Sequence, residues 1–301
     1  MTKSTARHTT PQLSQQYHDL WVHVGGQFEP ASLAQHLGLD GNIIRDVIDL
    51  RELPRVEFKE PVEYIFMRLP VVRAGTVKTA PLLAAVSAKQ LVTISPTNSF
   101  SPQSADQYVA EATPRTGGLL VATFACVVAA YEQSIHQLAG KIAAARQRLS
   151  RHEVKNADFV EFVAIEDSLN EFHSSLEGSA SVLGQLLLNR HNLFCANDIE
   201  SLGDLILHVK QLLVMVAANT QTINSIQNAY STIANNVLNQ RMKVLTAITI
   251  LLAIPNVFYG MYGMNIALPF QGEPWAYPVI VSFTVALIGV IYIVAKKLRL
   301  F

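Results

Sequence analysis

Residues 239–265 read NQRMKVLTAITILLAIPNVFYGMYGMN. Two cations, Arg241 and Lys243, open the stretch, and from Val244 to Gly272 no side chain except tyrosine is ionisable. Val244–Met264 is 21 residues. As a helix rising ~1.5 Å per residue it is long enough to cross a ~30 Å hydrocarbon layer. Trp275–Ala295, also 21 residues, repeats the pattern. The two runs predict a transmembrane hairpin. Its connector, 265–274, holds one acid, Glu273, and no Lys or Arg, whereas Lys296, Lys297 and Arg299 follow the second span. The positive-inside rule then puts both termini in the cytoplasm and the ten-residue loop outside, as in a multi-pass protein of the cell (inner) membrane. Tyr259, Tyr262, Trp275 and Tyr277 gather at the outer end as an interfacial aromatic belt does.

The rest of the chain is a different material. Of 301 residues, 23 are Lys or Arg and 23 Asp or Glu, and half are apolar. Between Gln211 and Ala295 the only charges are Arg241, Lys243 and Glu273. This asymmetry argues against a single soluble globule. The neutral balance gives no support to a nucleic-acid partner, which needs a basic face. A third apolar run, Gly117–Tyr131, is 15 residues, and Glu132, His136 and Lys141 continue its helical pattern. Such a length reads as a buried core helix. The first residues lack the apolar core of a signal peptide, so the large domain is expected in the cytoplasm. Cys126 and Cys195 stand in no paired motif and read as structural thiols.

Residues 1–18 are a polar, flexible N-terminus by composition, and an α/β domain is expected over 19–104. Asp19–Val24, Val62–Val72 and Ala84–Ser95 have strand character; Pro30–Leu37 and Asn42–Leu50 have helical character, broken at Gly38–Gly41 and Pro54. A helical pair follows within 105–196, as Gly118–Ser150 and Asn156–Asn189, the second rich in acids that read as a solvated face. From Asn197 or Asp198, an N-cap signal, no Pro or Gly interrupts the chain between Asp204 and Ile254. A stalk helix over 197–264 is expected, with the first span at 244–264, the external loop at 265–274, the second span at 275–295 and a basic tail at 296–301. The fold class is thus an α+β cytoplasmic domain followed by long helices and a two-helix transmembrane hairpin.

Residues 219–240 carry fourteen Asn, Gln, Ser or Thr and no charge. Alternate steps of three and four, the helix-seam period, select Gln221, Ser225, Asn228, Thr232, Asn235, Asn239, Met242, Thr246, Thr249, Ala253, Asn256, Gly260 and Gly263. Apart from Met242 this face is small or polar throughout. Two readings are open, a helix-packing face and the lining of a water-filled pore. In either, the chain must oligomerise, because unpartnered polar groups in hydrocarbon cost on the order of 1 kcal/mol or more each.

At the outer end of this face stands Tyr262-Gly263-Met264-Asn265. Placed at the close of the first of two spans, with a basic tail after the second, it resembles the CorA family of divalent-cation transporters, whose signature is Gly-Met-Asn. Asn239, Met242, Lys243, Leu245 and Thr246, and the segment Leu50-Arg51-Glu52-Leu53-Pro54-Arg55-Val56-Glu57, are similar to that family too. The resemblance implies a funnel-shaped homopentamer. Gly263, Met264 and Asn265 would form an outer selectivity ring that meets the hydrated ion at Asn265, and Asn256 a polar ring below it. Met242 and Leu245 would be the hydrophobic constriction and Asn239 the inner mouth. Thr246, Thr249 and Gly260 complete the pore-lining set.

The resemblance also implies Mg2+ as both the transported and the regulatory ion, with no organic cofactor, and closure of the pore by cytosolic Mg2+ bound between protomers. Asp204 is the candidate carboxylate, its alternative being a plain solvated helix acid. The sequence departs from the family pattern at Pro255, one residue late, at Glu273, the loop's single acid, and at Asn228, where relatives can carry an acidic ring. Two other functions compete: a zinc, cobalt or nickel transporter of the same superfamily, and a non-conducting membrane-tethered structural or interaction protein. His136, His173, His191 and His208 show no i, i+4 pairing suited to a soft metal. No phosphate loop or nucleophile elbow points to an enzyme.

Overall fold

The computed structural model describes residues 20–73, 76–97, 99–109, 115–150, 156–264, 270 and 272–297. The chain divides into two compact units, 1–227 and 228–301. In the first, five strands form one sheet: β1 (Trp21–Gly25), β2 (Arg55–Lys59), β3 (Val62–Arg73), β4 (Thr76–Val86) and β5 (Leu91–Ser95), in the order β1-β5-β4-β3-β2. Among the described residues only the β1–β5 pairing is parallel. Successive side chains on a strand point to opposite faces, and here both faces are covered. Tyr64, Phe66, Leu83 and Ile94 pack with Ala34 of α1 (Pro30–Leu37), with Ile43 and Ile44 of α2 (Gly41–Asp46) and with Val47 just after it. Ile65, Met67, Leu82 and Leu91 pack with α3 (Thr116–Ser150), α4 (Asn156–Leu186) and the first part of α5 (Ala196–Tyr262). A sheet buried on both sides needs continuous apolar strands rather than alternating ones, which is how Leu82–Val86 reads.

The helix breaks have physical causes. Gly38 ends α1 at φ +64°, a left-handed cap that a Cβ would strain, and the Asp40 carboxylate opens α2 by accepting from the amides of Asn42 and Ile43. Helix α2 stops at Asp46, short of the expected Leu50, and the turn beyond it is fixed by the Asp49 carboxylate accepting from Arg51 N. Residues 50–57, singled out in the sequence, are a docking strap. Pro54 lies against Gly178 of α4, Arg68 donates to Glu52 O at 2.7 Å, and Arg55 pairs with Asp46, Glu52 and Glu57 while capping the Phe66 ring. Buried Arg68 also reaches Glu171 of α4, whose carboxylate accepts from Thr79 N and Oγ1.

Three described helices are long and apolar enough to cross a membrane, α3 among them. Leu119, Leu120, Phe124, Val127, Val128 and Tyr131 of α3 are nevertheless buried in the first unit's core. Its apolar character is used inside the protein. A short 3-10 helix at Pro102–Tyr108 precedes α3. Gly117 allows the start of α3 to approach Leu193, since a Cβ there would stand 2.5 Å from Leu193 O.

In the second unit, α5 continues to Tyr262, and α6 (Ala276–Lys297) follows the connector. Helix α5 runs through Val244 without a break and ends two residues short of Met264, while α6 begins one residue after Trp275 and ends two after Ala295. Pro255 lies inside α5.

Candidate functional site

The apolar parts of α5 and α6 contrast with α3. Ile250, Leu252, Val257, Val279, Phe283, Val285 and Ile293 are all exposed in the single chain. Within this unit the buried described residues are Ala247 and Thr284. At 100° per residue, Ala247 with the half-buried Leu251 and Ile254 defines one face of α5, and the polar stripe lies about 150° away from it. The stripe therefore sits on the side of α5 that its own chain leaves open. Asn239, Met242, Leu245, Thr246, Thr249, Asn256, Gly260, Gly263 and Met264 are exposed there.

The hydroxyls of this face are oriented by their own helix. Thr232 Oγ1 donates to Asn228 O, Thr246 Oγ1 to Met242 O and Thr249 Oγ1 to Leu245 O, each at 2.9 Å. With its one proton committed inward, each threonine turns only lone pairs outward. The amides of Asn239 and Asn256 have no side-chain partner among the described residues and remain available to outside groups. The face is thus neutral, rich in acceptors and continuous along the apolar segment.

Helix α5 closes at its C-terminal end with Gly263 N donating to Tyr259 O at 2.9 Å. A Cβ on Gly263 would stand 3.2 Å from that same carbonyl, a tight contact that glycine avoids. Met264 N donates to Met261 O, and Met264 is half exposed. Asn265, the expected meeting point for the hydrated ion, lies outside the described residues. Beyond it, Glu273 is exposed, and Phe270 and Trp275 pack with ring centroids 5.2 Å apart. Beside Leu245 runs an open groove of about 410 Å3, lined by Val237, Gln240, Arg241, Val244 and Ile248. Stripe periodicity did not identify it, because these five residues fall outside the three-and-four register that selects the stripe.

In the first unit, Asp204 is exposed on α5. His136 and His208 lie 3.9 and 3.4 Å from Glu132, His173 lies 3.4 Å from Glu177, and His191 lies 3.6 Å from Glu63. Two of these are i, i+4 histidine–carboxylate pairs. Among the described residues no cluster of three or more His, Cys, Asp or Glu is placed to hold a metal. Burial raises the Cys126 thiol to about 11, which keeps it protonated and inert.

A family model described as CorA-like Mg2+ transporter protein matches residues 20–297. The cobalt/magnesium transport protein CorA of Methanocaldococcus jannaschii is 23% identical over 279 residues, 88% of this chain and 85% of that protein. The complete structure of the CorA magnesium transporter from the same organism is similar with a TM-score of 0.78 at 22% identity, over 95% of this chain and 93% of that one. The structure of the full-length CmaX protein is similar with a TM-score of 0.68 at 14% identity, over 95% and 92% of the two chains.

Proposed function

We propose, from the premise that this chain belongs to the CorA-like Mg2+ transporter family, that it conducts hydrated Mg2+ into the cytoplasm down the membrane potential. Members of that family are divalent-cation transporters of the membrane and not enzymes. The path in this proposal is enclosed by the α5 stripes of several copies, five by the family pattern. Both chain ends stand in the cytoplasm at the inner membrane, and α6 faces lipid.

The observation that carries the reading is the open, uncharged, acceptor-bearing face of α5, set opposite the face its own chain covers. Mg2+ releases its water reluctantly, so a conducting path must receive the ion with its shell. The outward lone pairs of Thr246 and Thr249 and the amide oxygens of Asn239, Asn256 and Asn265 accept from such waters. Neutral dipoles attract the ion without trapping it, as conduction requires. Met242 and Leu245 supply the apolar narrowing at the inner end, and Gly260, Gly263 and Met264 line the outer one. Five copies of Glu273 would place a ring of negative charge before the entrance. Two charges falling through ~150 mV gain ~7 kcal/mol, which drives uptake without a nucleotide. In this reading Mg2+ is also the regulatory ion, closing the path from the cytoplasmic side through Asp204.

The test is uptake into liposomes carrying the purified full chain. Inward Mg2+ flux is expected under an inside-negative potential, with block by hexaamminecobalt, a mimic of the hydrated ion. Flux of Zn2+, Co2+ or Ni2+ without Mg2+ replaces the cargo in this proposal. No flux of any divalent ion makes the chain a non-conducting membrane-tethered protein.

A further inference from the structure

The segment between α4 and α5 is held by a contact that the ion path does not use. Phe58 of β2 and Glu63 of β3 are directly paired across the antiparallel ladder, so ring and carboxylate stand side by side on one face. His191 covers both. Its ring stacks on Phe58 with centroids 3.7 Å apart and planes 9° from parallel, and its Nδ1 lies 3.6 Å from Glu63 Oε2. The Glu63 side chain is only 14% exposed, and His191 is the basic side chain within 4 Å of it among the described residues.

The backbone around His191 is fixed for this purpose. Asn189 and Asn192 both take left-handed conformations, at φ 44° and 52°, which asparagine tolerates better than most residues. The Asn189 amide closes the segment by donating to Phe194 O and accepting from Phe194 N. Immediately after, Cys195 N donates to Asp198 at the first turn of α5. Two crevices, of about 250 and 620 Å3, flank the stacked pair and share Phe58, Glu63, His191 and Phe194. The other ionisable groups lining them are Glu60 of the β2–β3 turn, Arg115 before α3, Arg190 beside His191, and Cys195. Lys59, next to Phe58, is engaged with Asp40 at 2.8 Å.

We propose that Phe58, Glu63 and His191 form a proton-operated clasp that fastens the lead-in to α5 onto the β2–β3 hairpin. Protonation gives the imidazole a charge that pairs with Glu63 and strengthens the face-on contact with Phe58. Loss of the proton leaves a neutral ring stacked beside a carboxylate with no counter-charge in contact, and the segment loosens. Proton binding here is a property of the first unit. Coupling to ion flux, where it exists, rests on the transport reading above.

Hydrogen exchange of the full chain in lipid nanodiscs tests the clasp without depending on transport. After correction for intrinsic exchange, protection of amides 187–195 should rise roughly threefold between about pH 8 and about pH 5.5, the scale of a partly exposed ion pair. His191→Phe keeps the stacked ring and should make that protection independent of pH; Glu63→Gln should flatten it as well. Unchanged protection of β3 and β4 establishes that both variants are folded. A flat wild-type profile, or the same pH response in His191→Phe as in wild type, overturns the proposal.

Discussion

Pro54 occupies the space where Gly178 would carry a side chain: a Cβ on Gly178 would stand 2.8 Å from Pro54 Cγ. Glycine in mid-helix is intrinsically unfavourable, so its presence here is explained by the rigid ring it admits. Gly178→Ala gains helix propensity but forces α4 and the 50–57 strap apart, and a net loss of about 1–2 kcal/mol is expected. Gly184→Ala, in the same helix with open space around its Cα, should instead stabilise by up to about 1 kcal/mol. Thermal unfolding of the two variants checks the opposite signs.

Acid should weaken the sheet unit through His23. Burial holds its imidazole well below the ordinary 6.5, at about 4, against the opposing effect of hydrogen bonds to Thr93 and Phe100. The unfolded chain binds a proton below about 6.5 while the folded one does not until about 4, so stability falls as pH drops through that window. The loss reaches on the order of 3 kcal/mol. Trp21 shares the Thr93 hydroxyl with His23, and its ring centroid lies 6.2 Å from that of Phe100. Its fluorescence in a Trp275→Phe background therefore reports the transition. His23→Phe should remove most of the pH slope.

Under the proposed transport function, Asn265→Ala should abolish Mg2+ uptake while leaving assembly intact by size-exclusion chromatography. Near-normal uptake would remove Asn265 from the outer ring. Thr249→Val preserves shape but deletes an outward acceptor, and should slow uptake roughly tenfold if one water-mediated hydrogen bond of about 1.4 kcal/mol is lost at the barrier. Thr249→Ser, which can keep the same bond to Leu245 O, should remain close to wild type.

Asp204→Ala should relieve inhibition by Mg2+ on the cytoplasmic side, read as a rightward shift in the concentration that halves efflux-free uptake. Closure at an unchanged concentration assigns Asp204 to the solvated face of α5 and no more.

The sequence was most legible where one rule dominates. Charge exclusion marked Val244–Met264 and Trp275–Ala295, and the structure ends α5 and α6 near those limits. It was least legible in β4. Thr76–Ala80 carries weak strand signals and Pro81 should demote a central strand, so the expected strand began only at Ala84. The ladder explains the difference: β5 pairs only with Leu83–Val86, leaving Pro81 opposite Arg68 on β3 with no β5 neighbour to require its missing N–H. Strand β2 was hidden by its charges, because Arg55, Glu57 and Lys59 lie on an edge strand where solvent and ion pairs accept them. At the candidate site, the stripe could be read by periodicity, but the face opposite it could not. Ala247 and Thr284 look like any small membrane residue until their burial is known.

Helix α3 and the apolar segments of α5 and α6 are each long and apolar enough to cross a membrane, yet of these three only α3 is largely covered by its own chain. The polypeptide therefore encodes two units, 1–227 and 228–301, that answer to different solvents. Dilution from detergent should precipitate the 228–301 unit through Leu252, Val285 and Ile293 while the sheet and its helices remain native inside the aggregate. For anyone preparing this protein, native-like circular dichroism is then no certificate of a dispersed sample.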